Sequence, residues 1–172
     1  MHILLTLLAA NAALADDVKI DEIVVTASPL NRSEDASIVG VSVIGEEELK
    51  NRAANSIGET LRRDPGVSST FFGPGASRPI IRGLGGDRIS VLDAGIGAID
   101  ASATSPDHAV SVEAASAEKI EIVRGAATLL YGSSAAGGVV NVFSGRIPRA
   151  LPEGGVDGAL RIGASTGDEG VE

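Results

Sequence analysis

The feature that most constrains this fold is a stretch of small residues, VRGAATLLYGSSAAGGVVNVF, at residues 123–143. It contains four glycines and four alanines between two runs of β-branched residues, each of which predicts a strand. So little side-chain bulk between two strands has three explanations. The backbone approaches another part of the molecule closely, the loop binds phosphate, or the segment is flexible.

The phosphate-binding explanation lacks the residues that it needs. A loop of the G-x-x-x-x-G-K-[ST] type uses a lysine to reach the phosphates, and residues 125–145 contain no lysine. A dinucleotide-binding G-x-G-x-x-G starting at Gly83 needs a third glycine where Arg88 stands. The sequence therefore argues against a nucleotide-binding enzyme.

The N-terminal residues predict export from the cytoplasm. The apolar run ILLTLLAANAALA is shorter than the roughly 20 residues of a membrane-spanning helix, and it ends in Ala13-Leu14-Ala15, followed by Asp16. This pattern is typical of a secretory signal peptide over residues 1–15, and we expect the mature chain to be soluble on its own. The alternative is a buried N-terminal helix, since the start of the run carries no Lys or Arg.

The charge and composition exclude two kinds of site. The formal net charge is −9, and no basic patch is present to neutralise phosphates, so no nucleic-acid partner is expected. The chain has no cysteine, which excludes disulfides and thiolate metal sites. It has three Phe, one Tyr and no Trp, and this scarcity of large side chains predicts a thin core with many loops.

Local patterns predict short strands and two short helices. The predicted strands lie at 37–45, 78–84, 88–96, 119–125 and 138–143, rich in Val and Ile. A tight turn at Gly85-Gly86-Asp87 is expected to join the second strand to the third. One helix is expected to follow the first strand, and a second helix is expected to begin at Ser56, whose spacing to Glu59 is that of a capping box.

The segment at residues 156–165 has a different pattern from the rest. Apolar residues alternate with small or polar ones, which is typical of a transmembrane β-strand. A lone strand is unstable because its edges are unpaired, so this interpretation predicts that the chain is the front end of a longer protein. The alternative is an ordinary surface strand or a frayed end.

The order of these features resembles the plug domain of TonB-dependent outer-membrane receptors. The matching motifs are DEIVVTA at 21–27, IRGLGGDRISVLDAGI at 81–96 and IEIVRGAATLLYGSSAAGGVVNV at 120–142. The resemblance covers nearly all of residues 20–143. One departure is Ala126, because the family usually has Pro after this Arg-Gly.

The resemblance implies an α+β fold, a plug with a small mixed β-sheet and short helices, followed by the start of a transmembrane β-barrel. It divides the chain into a signal peptide (1–15), a TonB box with a flexible linker (16–37), a plug domain (38–147) and a connector with the first barrel strand (148–172). The plug is expected to lie inside the lumen of its own C-terminal barrel in the bacterial outer membrane. The TonB box is then expected to face the periplasm.

The resemblance also implies a strand that is captured by the energy transducer. The residues that match the TonB box are Glu22, Ile23, Val24, Val25 and Thr26. A short β-branched segment on a flexible linker can add as an edge strand to a partner's sheet. The implied partner is the C-terminal domain of TonB. The alternative is a plain first strand of the domain's own sheet.

The same resemblance implies roles for two arginines and five glycines. Arg82 and Arg124 are expected to pair with carboxylates of the barrel wall, with exposed surface charges as the alternative. The glycines are expected to allow tight turns and close contacts in a confined lumen, which answers the question posed by the small-residue stretch. These glycines are Gly83, Gly125, Gly132, Gly137 and Gly138.

Asp107 and His108 are the candidate metal ligands. His108 is the sole histidine left after removal of the signal peptide, in a small-residue, polar segment expected to be an exposed loop. A carboxylate and an imidazole are zinc ligands, but two are too few for a tight site, so the barrel would have to supply the others. The segment resembles that of the zinc-uptake branch of these receptors. Zinc is thus implied as a transported ligand, and no cofactor is expected.

The resulting hypothesis is a plug domain that gates energy-coupled import of a scarce nutrient, with zinc favoured. One alternative is the same receptor class importing a siderophore, haem or cobalamin. Another is a free-standing periplasmic binding or adaptor protein with a plug-like fold. An enzyme is not expected, because a single mature histidine provides no nucleophile–base pair.

Overall fold

The computed structural model describes most of the predicted plug domain. The described residues are 40–52, 54–97 and 99–146, together with Gly155, Val156, Gly158, Leu160 and Ile162. The predicted signal peptide and TonB box lie outside the described residues, as does much of the predicted barrel strand. Within the described part, no helix has the length and hydropathy needed to cross a membrane.

Seven strands and two α-helices are found among the described residues. In chain order they are β1 (Gly40–Ile44), α1 (Glu46–Arg52), α2 (Ile57–Leu61), β2 (Val67–Ser69), β3 (Pro79–Ile81), β4 (Ile89–Asp93), β5 (Ile96–Gly97), β6 (Ala117–Arg124) and β7 (Gly138–Ser144). Short 3-10 helices lie at Gly86–Arg88, Ala101–Ala103, Gly125–Tyr131 and Ser133–Ala135. This combination of strands and short helices confirms the predicted α+β fold.

Five of the strands form one mixed sheet, in the order β1-β6-β7-β4-β5. Strands β1, β6 and β7 are antiparallel neighbours, β4 runs parallel to β7, and β5 returns antiparallel to β4. The central strands β6 and β7 are covered on both faces, so most of their residues are buried, including the polar Glu121 and Asn141.

The core has a layer on each face of this sheet. On one face, Leu49 of α1 and Leu61 of α2 belong to a cluster that includes Ile122 and Val140. On the other face, the 3-10 helices at residues 125–135 cover a smaller cluster that contains Val123 and Val139. Successive strand residues point to opposite faces, so neighbours such as Ile122 and Val123 serve different layers.

The two α-helices begin as the sequence predicts. Three glutamates in the first turn of α1 complement the positive end of the helix dipole. At α2, the Ser56 hydroxyl accepts a hydrogen bond from the backbone N–H of Glu59 at 3.4 Å, which satisfies one donor of the first turn.

The turn expected at Gly85-Gly86-Asp87 does not form a hairpin. Strand β3 pairs with β2 in a separate two-stranded sheet, whereas β4 pairs with β5 and β7. The chain between β3 and β4 therefore crosses from one sheet to the other through the 3-10 helix Gly86–Arg88. Strand propensity is local and does not specify the pairing partner, so the sequence patterns did not reveal this crossing.

Candidate functional site

Two glycines of the small-residue stretch lie where the chain turns. Gly125 has φ +75° and Gly132 has φ +96°, and no other atom lies within 4 Å of the place where a Cβ would stand. Their role is therefore conformational, since residues with a Cβ rarely adopt this left-handed region. Together they bound the 3-10 helix Gly125–Tyr131, which lies over the sheet.

The other two glycines of the stretch lie where there is no room for a side chain. A Cβ on Gly137 would stand 2.7 Å from Ile89 Cδ1 and 2.8 Å from Leu84 Cβ. A Cβ on Gly138 would stand 2.6 Å from Ile81 Cδ1. Here β7 begins against the chain that links the two sheets, so this part of the stretch is a close backbone approach.

Arg82 occupies a strained turn and presents a free cation. Its φ is +50° and that of Gly83 is +81°, the pair of positive angles found in a type I′ turn. A non-glycine residue in this region costs roughly 1 kcal/mol. The guanidinium is exposed and makes no hydrogen bond or ion pair with any other described residue. Its contact with a barrel carboxylate stays a prediction.

Arg124 is engaged within the domain itself. Its Nη2 pairs with Asp64, in the turn after α2, and its Nη1 donates to the Ser42 hydroxyl of β1 at 2.9 Å. The side chains of Arg124 and Asp64 are only 13% and 11% exposed. The carboxylate that Arg124 contacts here is therefore one of the domain's own, while the expected barrel contact stays a prediction.

Asp107 and His108 are brought together by a tight turn in an exposed loop. The backbone N–H of His108 donates to the carbonyl of Ser105 at 3.1 Å, which closes the turn around Pro106. His108 Nδ1 then lies 3.1 Å from Asp107 Oδ1. Hydrogen bonds, first from the Ser105 hydroxyl and then from His108, lower the pKa of the Asp107 carboxyl below its ordinary value of 3.8.

These two side chains do not belong to a larger group of metal ligands in the described part of the chain. No cluster of three or more His, Asp or Glu residues able to hold a metal ion occurs there. The hydrogen bond between Asp107 and His108 has the geometry by which a carboxylate orients a metal-binding imidazole. Because Nδ1 makes this contact, it leaves Nε2 as the other ring nitrogen of His108, and the role of His108 as a metal ligand stays a prediction.

A buried network around Arg78 had no signal in the sequence. Arg78 is 3% exposed and donates to Asp100 Oδ1 and to the carbonyl of Ile89, each at 3.1 Å, and to the Ser102 hydroxyl. It thus ties the β2–β3 hairpin to β4 and to the loop that leads to Asp107. The partners are 11–24 residues apart along the chain, too far for any local pattern to pair them.

A second buried charge lies inside the main sheet. Glu121 of β6 is 0% exposed and pairs with Lys119 Nζ at 2.9 Å, and the same ammonium lies 4.4 Å from the centre of the Phe143 ring. Burial and then the charge of Glu121 raise the pKa of Tyr131. Glu121 lies on the same face of the strand as Val123, which packs in the cluster that the 3-10 helices cover.

A model of the TonB-dependent Receptor Plug Domain matches residues 33–139. The chain belongs to this family. The match spans most of the residues that the structure describes, including residues 123–139 of the small-residue stretch and the Arg82-Gly83 turn.

The plug domain is similar to longer transport proteins. The whole chain is 34% identical over 157 residues to a vitamin B12 transporter of Photobacterium profundum, covering 88% of this chain and 26% of that one. A crystal structure of a mutant ferric enterobactin receptor from Pseudomonas aeruginosa is 28% identical, with a TM-score of 0.53, over 64% of this chain and 18% of that one. The copper transporter OprC, at 21% identity and a TM-score of 0.52 over 63% and 17% of the two chains, shares the fold.

These comparisons confirm the plug domain but give the zinc branch no support. The three relatives are named for vitamin B12, ferric enterobactin and copper. The chain spans about a quarter of the length of the vitamin B12 transporter that it matches.

Proposed function

We propose that this plug domain closes the lumen of an outer-membrane β-barrel and gates TonB-coupled import of a scarce nutrient. The observation that carries this proposal is the family match over residues 33–139, in a chain that covers 26% of a transporter. The barrel would be formed by a C-terminal continuation of the same polypeptide. Reading the gene beyond the codon for Glu172 tests this, since a free-standing binding or adaptor protein would lack several hundred further residues with alternating strand patterns.

The position of β1 supports a mechanism for coupling. Among the described residues β1 pairs only with β6, so it is an edge strand, and the N-terminal linker enters the domain at its first residue, Gly40. A pull on residues 22–26 by TonB would therefore load β1 before any other described strand. Removing β1 would separate Ser42 from Arg124 and expose the central strand β6.

Proline at Val24 tests the capture strand. Proline removes a backbone donor and disfavours strand pairing, so we expect Val24→Pro to abolish uptake while the amount of folded receptor in the outer membrane is unchanged. Asn31→Pro, in the linker outside residues 22–26, is the matched control and should leave uptake near wild type. Normal uptake by a well-folded Val24→Pro receptor would contradict the coupling role.

We propose zinc as the cargo, with His108 Nε2 as a ligand. What supports this is the turn that hydrogen-bonds Asp107 to Nδ1 in an exposed loop. Asp107 would orient the imidazole, and the barrel would supply the remaining ligands. The rival cargo is a bulky chelate such as vitamin B12, which the 34% identical relative is named for.

Titration of the full-length receptor separates the two cargoes. We expect His108→Ala and Asp107→Ala each to weaken zinc binding by about 10- to 100-fold, as loss of a ligand or of its orienting partner does. Asp87→Ala, another exposed acid, is the control and should bind zinc like the wild type. Equal zinc affinity in all variants, or tight binding of vitamin B12 with none of zinc, would overturn the zinc assignment and leave the plug assignment intact.

A further inference from the structure

The loop that carries Asp107 and His108 has few attachments to the rest of the domain. Between residues 99 and 110, Ser102 is the only buried residue, and both candidate metal ligands are exposed. Val110 is partly buried against the core and holds the C-terminal side of the loop. A cleft of about 280 Å³, lined by β4 and by the start of the loop, lies beside the N-terminal side. Apolar packing therefore does little to hold the N-terminal side in place.

Arg78 holds that side of the loop through Asp100 and Ser102. Its Nη1 donates to Asp100 Oδ1 at 3.1 Å and also to the Ser102 hydroxyl, which itself donates to Asp100. Asp100 precedes the 3-10 helix Ala101–Ala103, at a position where an aspartate often caps a helix, but its carboxylate makes no capping hydrogen bond within the described part of the chain. The carboxylate, 7% exposed, contacts Arg78 instead. We call these contacts of Arg78 with Asp100 and Ser102 the Arg78 anchor.

Arg78 is itself fixed to three other parts of the domain. Its backbone N–H donates to Thr70 Oγ1 at 2.9 Å, and its Nη2 donates to the carbonyl of Ile89 in β4 at 3.1 Å. Helix α2 packs directly on the backbone here, because a Cβ on Gly58 would stand 2.9 Å from the carbonyl carbon of Arg78. Hydrogen bonds from a charged donor are also stronger than those between neutral groups. The guanidinium is therefore a fixed point to which the loop is attached.

A continuous series of hydrogen bonds leads from this anchor to His108. The backbone N–H of Ser105 donates to the carbonyl of Ala101, next to Ser102, at 2.8 Å. The Ser105 hydroxyl donates to Asp107 Oδ1 at 2.5 Å, and the same oxygen lies 3.1 Å from His108 Nδ1. The orientation of the imidazole therefore depends on where the start of the loop is held.

We propose that Arg78 is a positioning residue for His108. It lies outside the Asp107–His108 pair and acts by holding Asp100 and Ser102, so that the loop presents the imidazole in one orientation. A ligand group held in its bound orientation loses less conformational freedom on binding, so the anchor strengthens metal binding. The consequence for zinc rests on the proposed function, whereas the anchoring of the loop does not.

Amide hydrogen exchange in the full-length receptor tests the anchor without zinc. We expect Asp100→Ala to speed exchange in residues 101–108, because the backbone hydrogen bonds of this segment depend on the anchor. Asp64→Ala is the matched control, since it also leaves a buried arginine, Arg124, without its carboxylate. The Asp64 side chain is 11% exposed, against 7% for Asp100. This control should leave exchange in residues 101–108 unchanged.

A second matched pair decides if either aspartate variant fails to fold. Ser102→Ala removes the hydroxyl that Arg78 contacts, and Ser42→Ala removes the one that Arg124 contacts. Only Ser102→Ala should speed exchange in residues 101–108.

Zinc titration of the same receptors tests whether the anchor acts through His108. We expect Asp100→Ala to weaken zinc binding by roughly 2- to 30-fold, the range for residues that act on a site without contacting its ligand. Asp64→Ala should bind zinc like the wild type. Combined with His108→Ala, Asp100→Ala should cause no further loss of zinc affinity, whereas a general loss of stability would add to the effect of His108→Ala.

The two measurements separate failure of the anchor from failure of the zinc cargo. Exchange in residues 101–108 that is unchanged in Asp100→Ala, or equally fast in Asp64→Ala, overturns the proposal. Wild-type zinc affinity in Asp100→Ala, or a loss that adds to that of His108→Ala, also overturns it. If only Asp100→Ala speeds exchange and the wild-type receptor binds no zinc, the anchor is supported and the zinc cargo is wrong.

Discussion

At the scale of single residues, this plug domain has small residues where the packing is tight or the backbone is left-handed. Gly137 packs with no space for a methyl group, and Ala94 holds a left-handed backbone at φ +48° in the turn after β4. Both residues lie where β7 and β4, the parallel pair of the sheet, meet their connections. The connections of these two strands therefore depend on close backbone packing at Gly137 and on a left-handed backbone at Ala94.

Gly137 and Gly75 form a matched pair for testing this close approach. Gly137→Ala places a Cβ 2.7 Å from Ile89 Cδ1, whereas no atom lies within 4 Å of the corresponding position at Gly75. We expect Gly137→Ala to lower the free energy of unfolding by about 1–3 kcal/mol and Gly75→Ala to change it by less than about 0.5 kcal/mol. Urea unfolding followed by circular dichroism measures both, and coincident midpoints would refute the argument.

The carboxyl of Asp107 should titrate below pH 3.8, mainly because of Ser105. Its folded pKa is depressed, so its stabilising contribution is present above the unfolded pKa and is lost as pH falls through the folded one. We expect Ser105→Ala to raise the pKa towards 3.8, and His108→Ala to raise it less. Carboxyl NMR titration measures this, with Thr104→Ala as the control, because that hydroxyl bonds Ala101 instead. If His108→Ala raised the pKa of Asp107 more than Ser105→Ala does, the expectation that the Ser105 hydrogen bond contributes most would be wrong.

At the scale of elements, polar side chains connect pieces that the apolar core leaves separate. Arg78 joins the small β2–β3 sheet to β4, and Arg124 joins the end of α2 to both β1 and β6. Each of these elements has only a few residues and buries little apolar area by itself. Packing alone therefore does not fix their relative positions, and the polar contacts of Arg78 and Arg124 help to do so.

The Arg124–Asp64 pair should therefore matter more than a surface pair. Removing one partner of a pair that is 13% and 11% exposed leaves an uncompensated charge, so we expect Asp64→Ala to cost about 3 kcal/mol. Lys50→Ala breaks an exposed pair with Glu46 and should cost less than about 1 kcal/mol. Thermal unfolding of both variants checks this, and similar losses of stability would show that the buried pair does not tie the elements together.

At the scale of the whole molecule, the domain has apolar side chains that its own fold does not cover. Phe71 and Phe72, at the tip of the β2–β3 hairpin, are 66% and 57% exposed, and Leu129 and Leu130 are 78% and 65% exposed. Two of the three phenylalanines of the chain are thus at the surface. Exposed apolar side chains of this kind are typical of surfaces that contact another part of a larger assembly, and the barrel proposed above would cover them.

The isolated chain should accordingly bind apolar dyes and self-associate. We expect fluorescence of an apolar dye to rise on mixing with the isolated chain, and to fall towards background when Phe71, Phe72, Leu129 and Leu130 are all changed to Ser. In the full-length receptor the same four changes should have little effect on dye binding, because the barrel would already cover these residues. If the four changes leave the dye fluorescence unchanged, these four residues are not the surface that the dye binds.

The sequence by itself determined the features that depend on neighbours along the chain. The Val- and Ile-rich runs of β1, β4, β6 and β7, the cap at Ser56 and the order of motifs that identify the plug are all local, and propensity, capping and turn chemistry act over a few residues. The proximity of Asp107 to His108 is local in the same sense, which is why the pair was identifiable before the fold was known.

Only the tertiary structure decided which distant residues meet. The pairing of β3 with β2, the burial of Glu121 beneath the 3-10 helices, the Arg78 network and the engagement of Arg124 by Asp64 join residues that local patterns do not relate. Sequence periodicity tells which side chains share a face, but the charge on that face is buried or exposed according to what packs over it. That depends on the whole chain, because long-range contacts are set by packing and not by the preferences of any one segment.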